Sequence, residues 1–384
     1  MAVSNHPTIS TRVALRPTHI LVDLEKLTQN YRAIQRKVGE TTVMPILKAN
    51  AYGHGLVRVG QHMQEIGARI LGVAYLEEGI LLREAGVTAP ILVLGGILGS
   101  QTPLFLQHDL TLTVSSHQKL EQVESAAASM GLKARVHLKI DTGMERIGVH
   151  YYSADSLLES SVKCKHVEIE GIFSHFANSD SADLDSTKIQ LERFLEVMSF
   201  YEKHSLPSPQ RHIANSGAIL QLPESWMNIV RPGILLYGVY PSADVKRNIE
   251  VEPAIRWSSR VVYFKVVRPG HPVSYGSTWQ SDHNVRVVTV PVGYGDGYFR
   301  SMGGKAQVLI HGKRYPVVGT ICMDQFMVNI EQDSAFNEDE VILVGENGEE
   351  KISVEELAEW AGTIPYEVLT NINTRVPRVY LQDQ

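Results

Sequence analysis

The chain has 384 residues, more than one hydrophobic core usually serves, so its length predicts two domains. Hydrophobic residues make up 43% and charged residues 20% of the chain, as in an ordinary globular protein. The formal net charge of −6, together with the lack of any basic cluster, argues against nucleic acid as a partner, because phosphate binding requires concentrated Lys and Arg.

Membrane insertion, disulfide bonding and metal binding are not expected from this sequence. It contains no run of 18 or more apolar residues, and residues 1–16 lack the apolar segment of a secretory signal. Cys164 and Cys322 are too few and too far apart for a disulfide framework or a cysteine-based zinc site. The 15 histidines are scattered without the close pairing of metal ligands. We therefore expect no metal and a reducing, cytoplasmic location.

Short apolar runs alternate with longer amphipathic stretches through the first two thirds of the chain. Eight runs are predicted strands: residues 43–47, 70–74, 91–94, 110–114, 136–140, 169–173, 211–214 and 229–230. Three of the amphipathic stretches are predicted helices: 24–37 capped by Asp23, 117–130 capped by Ser116, and 183–204. The last is the clearest, because one face of a 3.6-residue period collects Leu191, Phe194, Leu195, Met198 and Tyr201.

This alternation predicts parallel strands that are joined by crossover helices. Eight strand–helix units in about 240 residues match the usual size of a (β/α)8 barrel, or TIM barrel. A doubly wound open sheet is the alternative, and the strand count alone does not exclude it.

The pattern changes near Glu250, where strand-like runs follow one another with almost no helix. These predicted strands are residues 260–267, 285–292, 307–310, 327–330 and 341–344, with a hairpin after 310. A late helix begins at Ser353, which forms a capping box with Glu356. We therefore expect an α/β chain with an N-terminal (β/α)8 TIM barrel at 1–249 and a C-terminal mostly-β domain at 250–384. The N-terminal strand 18–23 could pair with either domain.

Lys48 directly follows the apolar run 43–47, at the strand end where barrel enzymes place catalytic groups. A desolvated lysine amine has a lowered pKa, which suits Schiff-base chemistry, although a surface lysine at a strand end is the alternative for any single lysine. Segment 48–55 reads KANAYGHG, in which small residues flank the lysine.

Further motifs follow the later strands and continue into the second domain. After the barrel strands stand KIDTGMERIG (139–148), SHF (174–176), HIANSG (212–217) and RPGI (231–234). Loops after strands seven and eight are the habitual phosphate site of such barrels. The second domain contains VSYG (273–276), GYGDGY (293–298), CMDQ (322–325), PYE (365–367) and TRVPR (374–378).

In this order the motifs resemble those of alanine racemases, isomerases of fold type III that use pyridoxal 5′-phosphate (PLP). The resemblance extends from about Thr18 to Tyr380. It implies interconversion of L-alanine and D-alanine by two bases, with D-alanine supplied to cell-wall peptidoglycan. It also implies a homodimer with shared active sites, in which the partner chain contributes the residues matching Tyr275, Met323 and Asp324. Neither nucleic acid nor a membrane is an expected partner.

The resemblance assigns a role to each matching residue. Lys48 would carry PLP and act as one base, and Tyr275 would be the other. The matching cofactor-binding residues are Lys48, Tyr52, His175, Asn215, Ser216, Arg231, Gly233, Ile234 and Tyr366. The remaining matches are the substrate-binding Arg146 and Met323, the supporting Lys139 and Asp324, and the entrance residues Tyr294 and Arg300.

Arg231 is the most informative of these residues for the mechanism. By resemblance it faces the pyridine nitrogen of PLP, where many other PLP enzymes use a carboxylate. An arginine cannot accept the ring proton, because its pKa is normally above about 12. The cofactor would then be a weaker electron sink, which favours return of the proton to Cα over side reactions such as transamination.

Several alternatives remain open at this point. Lys139 matches a lysine that is carbamylated in many family members, but an ordinary ion-pairing lysine fits equally well. Thr320 stands where some racemases carry an arginine, which puts an entrance hydrogen bond in doubt. The competing functions are a basic amino-acid decarboxylase on a similar architecture, a PLP carrier on a lone barrel, and a racemase for serine, lysine or a broader range. Arg231 argues against the decarboxylase, and the second domain argues against the carrier.

Overall fold

A computed structural model describes residues 16–381 of the chain. Its contacts separate two compact units, and the boundaries fall after Glu25 and after Glu252. We call residues 26–252 the barrel unit, and residues 16–25 with 253–381 the sheet unit. The sequence instead predicts a single boundary between 249 and 250. The secretory signal is predicted to be absent from residues 1–16, and all of these except residue 16 lie outside the described range. The first residues of the predicted barrel domain and the last residues of the predicted β domain lie outside it as well.

The first strand, β1 (His19–Asp23), belongs to the sheet unit. It pairs antiparallel with Ile255–Arg260 on one side and parallel with Arg378–Leu381 on the other. These two ladders show which domain the N-terminal strand pairs with, a question that the sequence leaves open. They also explain why the division of the chain into two units has two boundaries.

In the described part of the chain, eight parallel strands form the barrel. They are β2 (Thr42–Val43), β3 (Leu71–Val73), β4 (Ile91–Val93), β5 (Leu112–Val114), β6 (Ala134–Asp141), β8 (Val167–Phe173), β9 (Gln210–His212) and β10 (Ile229–Val230). A short ninth strand, β7 (Val149–His150), pairs with the end of β6. All eight strands of the barrel coincide with predicted runs, although most of their boundaries differ.

Pairing of β10 with β2 closes the ring of strands. Single bridges, Ile46 with Gly72 and Leu92 with Thr111, connect β2 to β3 and β4 to β5. The Arg231 N–H donates to the Ala214 carbonyl at 2.9 Å, which connects the ends of β10 and β9. The predicted (β/α)8 barrel is therefore confirmed, and the doubly wound open sheet is wrong because an open sheet has two unpaired edges.

The helix Leu24–Val38 precedes the first barrel strand, and further helices follow most barrel strands: Leu56–Glu65, Leu76–Glu84, Thr102–Gln107, His117–Met130, Ala154–Val162, Asp185–Lys203 and Ser216–Gln221. Short 3-10 turns occupy Gly99–Gln101, Tyr151–Ser153, Pro223–Ser225 and Ile234–Tyr237. The predicted cap of His117–Met130 is confirmed, because Ser116 Oγ accepts from the Lys119 N–H at 3.2 Å. In Asp185–Lys203 the predicted buried face is wrong at Leu195, which is 47% exposed, because the buried face centres on Phe194 and Val197.

Apart from β19, which pairs parallel with β1, the strands of the sheet unit pair antiparallel. They are β11 (Ile255–Arg260), β12 (Tyr263–Val267), β13 (Val285–Val290), β14 (Gln307–Ile310), β15 (Lys313–Val318), β16 (Phe326–Asn329), β17 (Glu340–Asn347), β18 (Glu350–Ile352) and β19 (Arg378–Leu381). Within the described residues the strand order is β12-β13-β16-β15-β14-β17-β11-β1-β19, with β18 beside β17. The predicted strand 260–267 is in fact the end of β11 followed by β12, and these strands pair with β17 and β13 respectively.

Local signals in this unit are confirmed. The predicted hairpin joins β14 to β15 through His311 and Gly312, whose positive φ angles of 51° and 77° suit a two-residue hairpin turn. The predicted capping box begins the helix Val354–Ala361, with Ser353 and Glu356 each accepting from the backbone N–H of the other. A second helix is Pro365–Asn371, and 3-10 turns occupy Tyr275–Ser277, Tyr294–Asp296 and Arg300–Met302. Across residues 16–381, no helix is both long and apolar enough to cross a membrane.

Candidate active site

The carboxyl end of the barrel gathers a set of basic side chains. Desolvation, and then the positive charges of Arg231, Arg146, Lys139 and Lys48, hold the pKa of the partly buried His175 imidazole well below its usual value. The same end places Lys48 directly after Leu47, whose N–H donates to Gly72 of β3 at 2.8 Å. The structure therefore brings together four predicted site residues with basic side chains.

The chain turns in a left-handed sense immediately after Lys48. Ala49, Asn50, Ala51 and Tyr52 have φ angles of 53°, 56°, 52° and 50°, although none of them is a glycine. Left-handed backbone costs a residue with a side chain roughly 1–2 kcal/mol, so surrounding contacts must hold this turn. Such strained backbone is concentrated at functional sites in proteins.

Arg231 lies at the centre of a buried hydrogen-bond network. Its guanidinium is 3% exposed and donates to His212 Nδ1 at 2.8 Å and to His175 Nδ1 at 3.1 Å. It also donates to the carbonyl oxygens of Ser174 and Ile213. Burial lowers the pKa of Arg231 to about 9, which leaves it protonated at neutral pH. A guanidinium only donates, so both imidazoles accept at Nδ1 and carry their proton at Nε2.

The network continues to a third imidazole. His212 Nε2 donates to His137 Nδ1 at 2.7 Å, and the His212 ring stacks on Phe173. Burial, and then the charge of Arg231, lower the pKa of His137 to about 3, so this ring stays neutral. Gly171 in the neighbouring strand makes room for it, since a Cβ there would lie 2.3 Å from His137 Nδ1. The Arg231 contacts thus fix the tautomer of all three rings.

Arg231 and His175 are recognisable in the sequence motifs, whereas the motifs give no role to His137 or His212. A weak signal was present: His137 is a polar residue inside the apolar run 136–140, and His212 opens the motif 212–217. Both histidines are buried, and their shared contact spans 75 residues of sequence. Only the folded barrel shows that they support Arg231.

Hydrogen-bond donors suited to a phosphate converge after β9 and β10. The Gly233 N–H donates to Ser216 Oγ at 2.9 Å, and a Cβ on Gly233 would lie 2.4 Å from the Tyr52 hydroxyl. Gly233 therefore permits the close approach of Tyr52, whose pKa is raised by burial so that its phenol remains a donor. Ile234 follows at the start of a 3-10 turn. Hydroxyl and backbone donors together form a donor set that fits a phosphate group.

Asn215 has a role in the fold that the sequence did not indicate. Its Oδ1 accepts from Ser179 Oγ at 2.6 Å and from the Ala218 N–H at 3.1 Å, so it caps the helix Ser216–Gln221. The cap fixes the backbone that presents Ser216.

A turn after β6 presents Arg146. Asp141 Oδ1 accepts from the N–H groups of Gly143 and Met144, and Asp141 Oδ2 accepts from the Arg146 N–H at 3.2 Å. Burial opposes ionisation of Asp141, but backbone hydrogen bonds led by that of Gly143 outweigh it and lower the pKa. Asp141 is thus an anchor for the turn, a role that sequence analysis missed.

Lys139 lies in β6 and is 3% exposed. Its amine donates to the Ile140 carbonyl at 2.7 Å. Burial lowers the pKa of Lys139 to about 7, with Asp141 opposing the shift and Arg231 and Arg146 adding to it. Near neutral pH a large fraction of this amine is therefore uncharged.

The sheet unit carries the other predicted site residues. Tyr275 is 72% exposed, and its carbonyl accepts from Thr320 Oγ1 at 2.8 Å. The residue that departs from the family pattern, Thr320, therefore supports the turn at Tyr275. Met323 and Tyr294 are 54% and 42% exposed. Also in this unit are the exposed Arg300 and Asp324 and the partly buried Tyr366.

A buried carboxylate anchors the loops that present Tyr294, Met323 and Asp324. Asp296 is fully buried and accepts two hydrogen bonds from Arg16 and one from Arg375, each at 2.6 Å. Arg375 also donates to Asp324 Oδ1 at 2.8 Å and to the Met323 carbonyl. Burial opposes ionisation of Asp296, but the bonds from Arg16 and Arg375 outweigh it and lower the pKa.

The glycines of segment 293–297 have a steric purpose beside this carboxylate. A Cβ on Gly293 would lie 2.2 Å from the Cys322 carbonyl, and one on Gly295 would lie 2.7 Å from Arg375 Nη2. The Gly295 N–H donates to the Met323 carbonyl at 2.9 Å. The glycine run therefore allows two loops to pack backbone against backbone. From the sequence alone, this role of the glycines cannot be distinguished from a simple turn.

Comparison with known proteins agrees with this arrangement. Family models for the N-terminal and C-terminal domains of alanine racemase match residues 22–241 and 254–380. The alanine racemase of Carboxydothermus hydrogenoformans is 42% identical over 96% of this chain and 100% of its own length. That of Halothermothrix orenii is 40% identical over 95% of this chain and 97% of its own length.

Solved structures show the same likeness. Alanine racemase from Clostridium difficile 630 superposes with a TM-score of 0.89 at 37% identity, covering 95% of this chain and 96% of that one. The enzyme from Streptomyces coelicolor gives a TM-score of 0.93 at 33% identity, covering 97% and 100%. These matches favour a racemase over a decarboxylase or a PLP carrier. The chain belongs to the alanine racemase family, whose members are PLP-dependent isomerases.

Proposed function

We propose that this family member interconverts L-alanine and D-alanine, with Lys48 and Tyr275 as the two bases. The observation that carries the proposal is the environment of Arg231. Its partners are the neutral imidazoles of His212 and His175 and two backbone carbonyls. A ring nitrogen that faces such a donor receives no proton from it, which favours racemisation over transamination or decarboxylation.

The barrel unit offers a place for the cofactor. The Ser216 and Tyr52 hydroxyls and the backbone of Gly233 and Ile234 would hold the PLP phosphate, with Tyr366 and Asn215 as further proposed contacts. Lys48 would carry the cofactor. When bound, PLP supplies an electron sink that acidifies the Cα proton of an attached amino acid.

Racemisation requires a base on each face of the reacting carbon. Desolvation, and then the charge of Arg146, lower the pKa of Lys48, so a larger fraction of its amine is free to accept a proton. The Tyr275 phenol is the second proposed base. Arg146 would bind the substrate carboxylate with its planar guanidinium. The Met323 N–H would add a hydrogen bond, from a loop that Arg375 holds through the Met323 carbonyl and Asp324 Oδ1.

We also propose a homodimer in which the Tyr275 of each chain serves the site of its partner. Tyr275 and Met323 are 72% and 54% exposed, which supports this role because both residues are accessible to a second copy of the chain. Tyr294 and Arg300 would line the entrance.

A cytoplasmic location fits the free thiols of Cys164 and Cys322. The D-alanine formed there would serve peptidoglycan synthesis.

Lys139 is the proposed site of carbamylation. Reaction of its neutral amine with carbon dioxide forms a carbamate and releases one proton. The amine is buried beside the charges of Arg231 and Arg146, and its pKa of about 7 makes the reactive form available. The carbamate would replace a potential cation with an anion, which can pair with Arg146.

The first prediction concerns activity and substrate range. Purified protein with added PLP converts L-alanine to an equal mixture of enantiomers, measured by chiral chromatography, and converts L-serine and L-lysine more slowly. Lys48→Ala loses nearly all turnover because it removes both a base and the cofactor attachment. Release of carbon dioxide and an amine without racemisation would instead indicate a decarboxylase.

The second prediction separates the two bases. Tyr275→Phe removes the hydroxyl on one face, so exchange of the α-hydrogen in deuterated water falls by about 100-fold or more for one enantiomer of alanine. Exchange with the other enantiomer falls far less, because Lys48 remains. Mass spectrometry of each pure enantiomer at short times gives both rates. An equal loss for both enantiomers contradicts the two-base assignment.

The third prediction tests the shared site. Lys48→Ala and Tyr275→Phe proteins, each nearly inactive, regain activity when their subunits exchange, because each mixed dimer contains one site with both bases. Differently tagged chains allow the mixed dimer to be isolated and assayed. An isolated mixed dimer without activity would place both bases on one chain.

The fourth prediction concerns the buried amine. The pKa of Lys139 is about 7 in the folded protein and 10.5 when unperturbed, so between these values the unfolded chain binds the extra proton. The free energy of unfolding of the parent protein therefore rises with pH relative to Lys139→Met, by at most about 1.4 kcal/mol per pH unit. Urea unfolding in carbon dioxide-free buffers across this range measures the difference.

The exposed Lys163→Met serves as the matched control, and its pH profile should parallel that of the parent. Added bicarbonate should stabilise the parent protein but not Lys139→Met. Parallel profiles for parent and Lys139→Met would show that Lys139 titrates normally and would remove the basis for carbamylation.

A further inference from the structure

Glu78 joins two elements at the carboxyl end of the barrel. One carboxylate oxygen, Oε1, accepts from the Ala49 N–H at 2.7 Å, directly after Lys48. The other, Oε2, accepts from the N–H groups of Ala74 at 2.7 Å and Tyr75 at 3.1 Å, where β3 ends. Hydrogen bonds to an ionised carboxylate are about twice as strong as those between neutral groups. Glu78 is therefore a charged clamp between β3 and the start of the left-handed turn.

The left-handed turn needs such a clamp. Its four non-glycine residues, 49–52, would each be more stable in another backbone region by roughly 1–2 kcal/mol. Its far end is held by Asn50, whose Oδ1 accepts from the Leu56 N–H at 2.9 Å and whose carbonyl accepts from the Gly55 N–H at 2.8 Å. The Ala49 N–H, at the near end, is held by Glu78.

The turn sets the distance between two groups that the proposed function uses. Lys48 stands immediately before it and Tyr52 at its end, with the Tyr52 hydroxyl against Gly233. An extended backbone over the same residues would carry Tyr52 much further from Lys48, because each extended residue adds roughly 3.3 Å. The conformation of residues 49–52 thus determines where the amine lies relative to the phosphate donors.

Glu78 also acts on the Lys48 amine through its charge. The charged groups that face Lys48 are Arg146, Arg231 and Glu78, and the neutral His175 imidazole lies beside them. Desolvation and Arg146 lower the pKa of Lys48, while Glu78 raises it. Removing the carboxylate should therefore move the titration of this amine to lower pH.

We infer that Glu78 is a positioning residue of the active site, which locks the left-handed turn 49–52 and thereby fixes the Lys48 amine and the Tyr52 hydroxyl for binding PLP. This inference rests on the proposed roles of Lys48 and Tyr52. Glu78 does not touch the reacting atoms, and it acts through the backbone of Ala49.

The fifth prediction compares two neighbouring glutamates. Glu78→Gln removes the charge and replaces one acceptor oxygen with an amide group that donates. Because charge-assisted bonds are lost, the dissociation constant for PLP added back to the PLP-free full-length protein rises by about tenfold to a hundredfold. Glu77→Gln, which removes the same charge at the exposed adjacent position, changes it by less than about twofold. Fluorescence quenching measures both constants.

A rescue experiment distinguishes positioning from general damage to the fold. Glycine adopts a φ of 53° without the steric cost, so Ala49→Gly added to Glu78→Gln should relax the turn and restore PLP affinity to within about threefold of the parent. Ala126→Gly, in the helix His117–Met130, should not rescue. Thermal unfolding of each variant shows whether the fold is retained.

The charge effect has its own measurement. The rate at which PLP couples to Lys48, trapped by borohydride across a pH series, gives the pH midpoint of the amine. This midpoint falls in Glu78→Gln and stays low in the double variant with Ala49→Gly, whereas Glu78→Asp keeps the parent midpoint but binds PLP more weakly. Affinity and midpoint therefore respond to different substitutions.

Equal affinities in Glu78→Gln and Glu77→Gln would overturn the inference, as would weak binding that Ala49→Gly fails to restore. Both outcomes leave racemisation by the parent protein intact. Failure of the proposed function is distinct, because the parent protein itself would then bind no PLP or convert no alanine.

Discussion

Buried positive charge at the carboxyl end of the barrel is the constraint on which the active site depends. Arg231 and Lys139 are each 3% exposed, and Arg146 and Lys48 act on the same region. A buried ion costs several kcal/mol unless it is paired. The fold reduces this cost by leaving Lys139 partly neutral and by surrounding Arg231 with neutral acceptors. The remaining charge attracts anions, and both ligands of the proposed reaction, a phosphate and an amino-acid carboxylate, are anionic.

The sheet unit handles buried charge in the opposite way. Asp296 is enclosed by Arg16 and Arg375, so its carboxylate is already paired within the chain. Such a pair has no need of a ligand, and it fixes the backbone of Met323 and Asp324 instead. Basic side chains therefore predominate at the proposed cofactor and substrate site, whereas the paired Asp296 carboxylate holds the loops that carry Met323 and Asp324.

Sequence patterns predicted the barrel and the mostly-β domain, because hydrophobic periodicity is a local property of the chain, and the motifs supplied the candidate site residues. They could not predict Glu78, His137 or Asp296, whose functions depend on contacts with distant strands or loops. The same limit explains the misplaced Leu195, which a helical period alone puts on the buried face. The left-handed turn after Lys48 was also invisible, since Ala49 and Ala51 carry no signal for positive φ. What tertiary structure adds is mainly the support behind the predicted residues.

The position of β1 has a consequence for synthesis on the ribosome. This strand emerges first, yet its two neighbours in the sheet, β11 and β19, emerge only after the entire barrel and at the end of the described chain. A contact between sequence-distant strands forms slowly, because a long loop must close first. The barrel can complete its own ring of strands while β1 is still unpaired. β1 is thus without either sheet neighbour until β11 has been synthesised, and chaperone binding or aggregation would be expected to begin there.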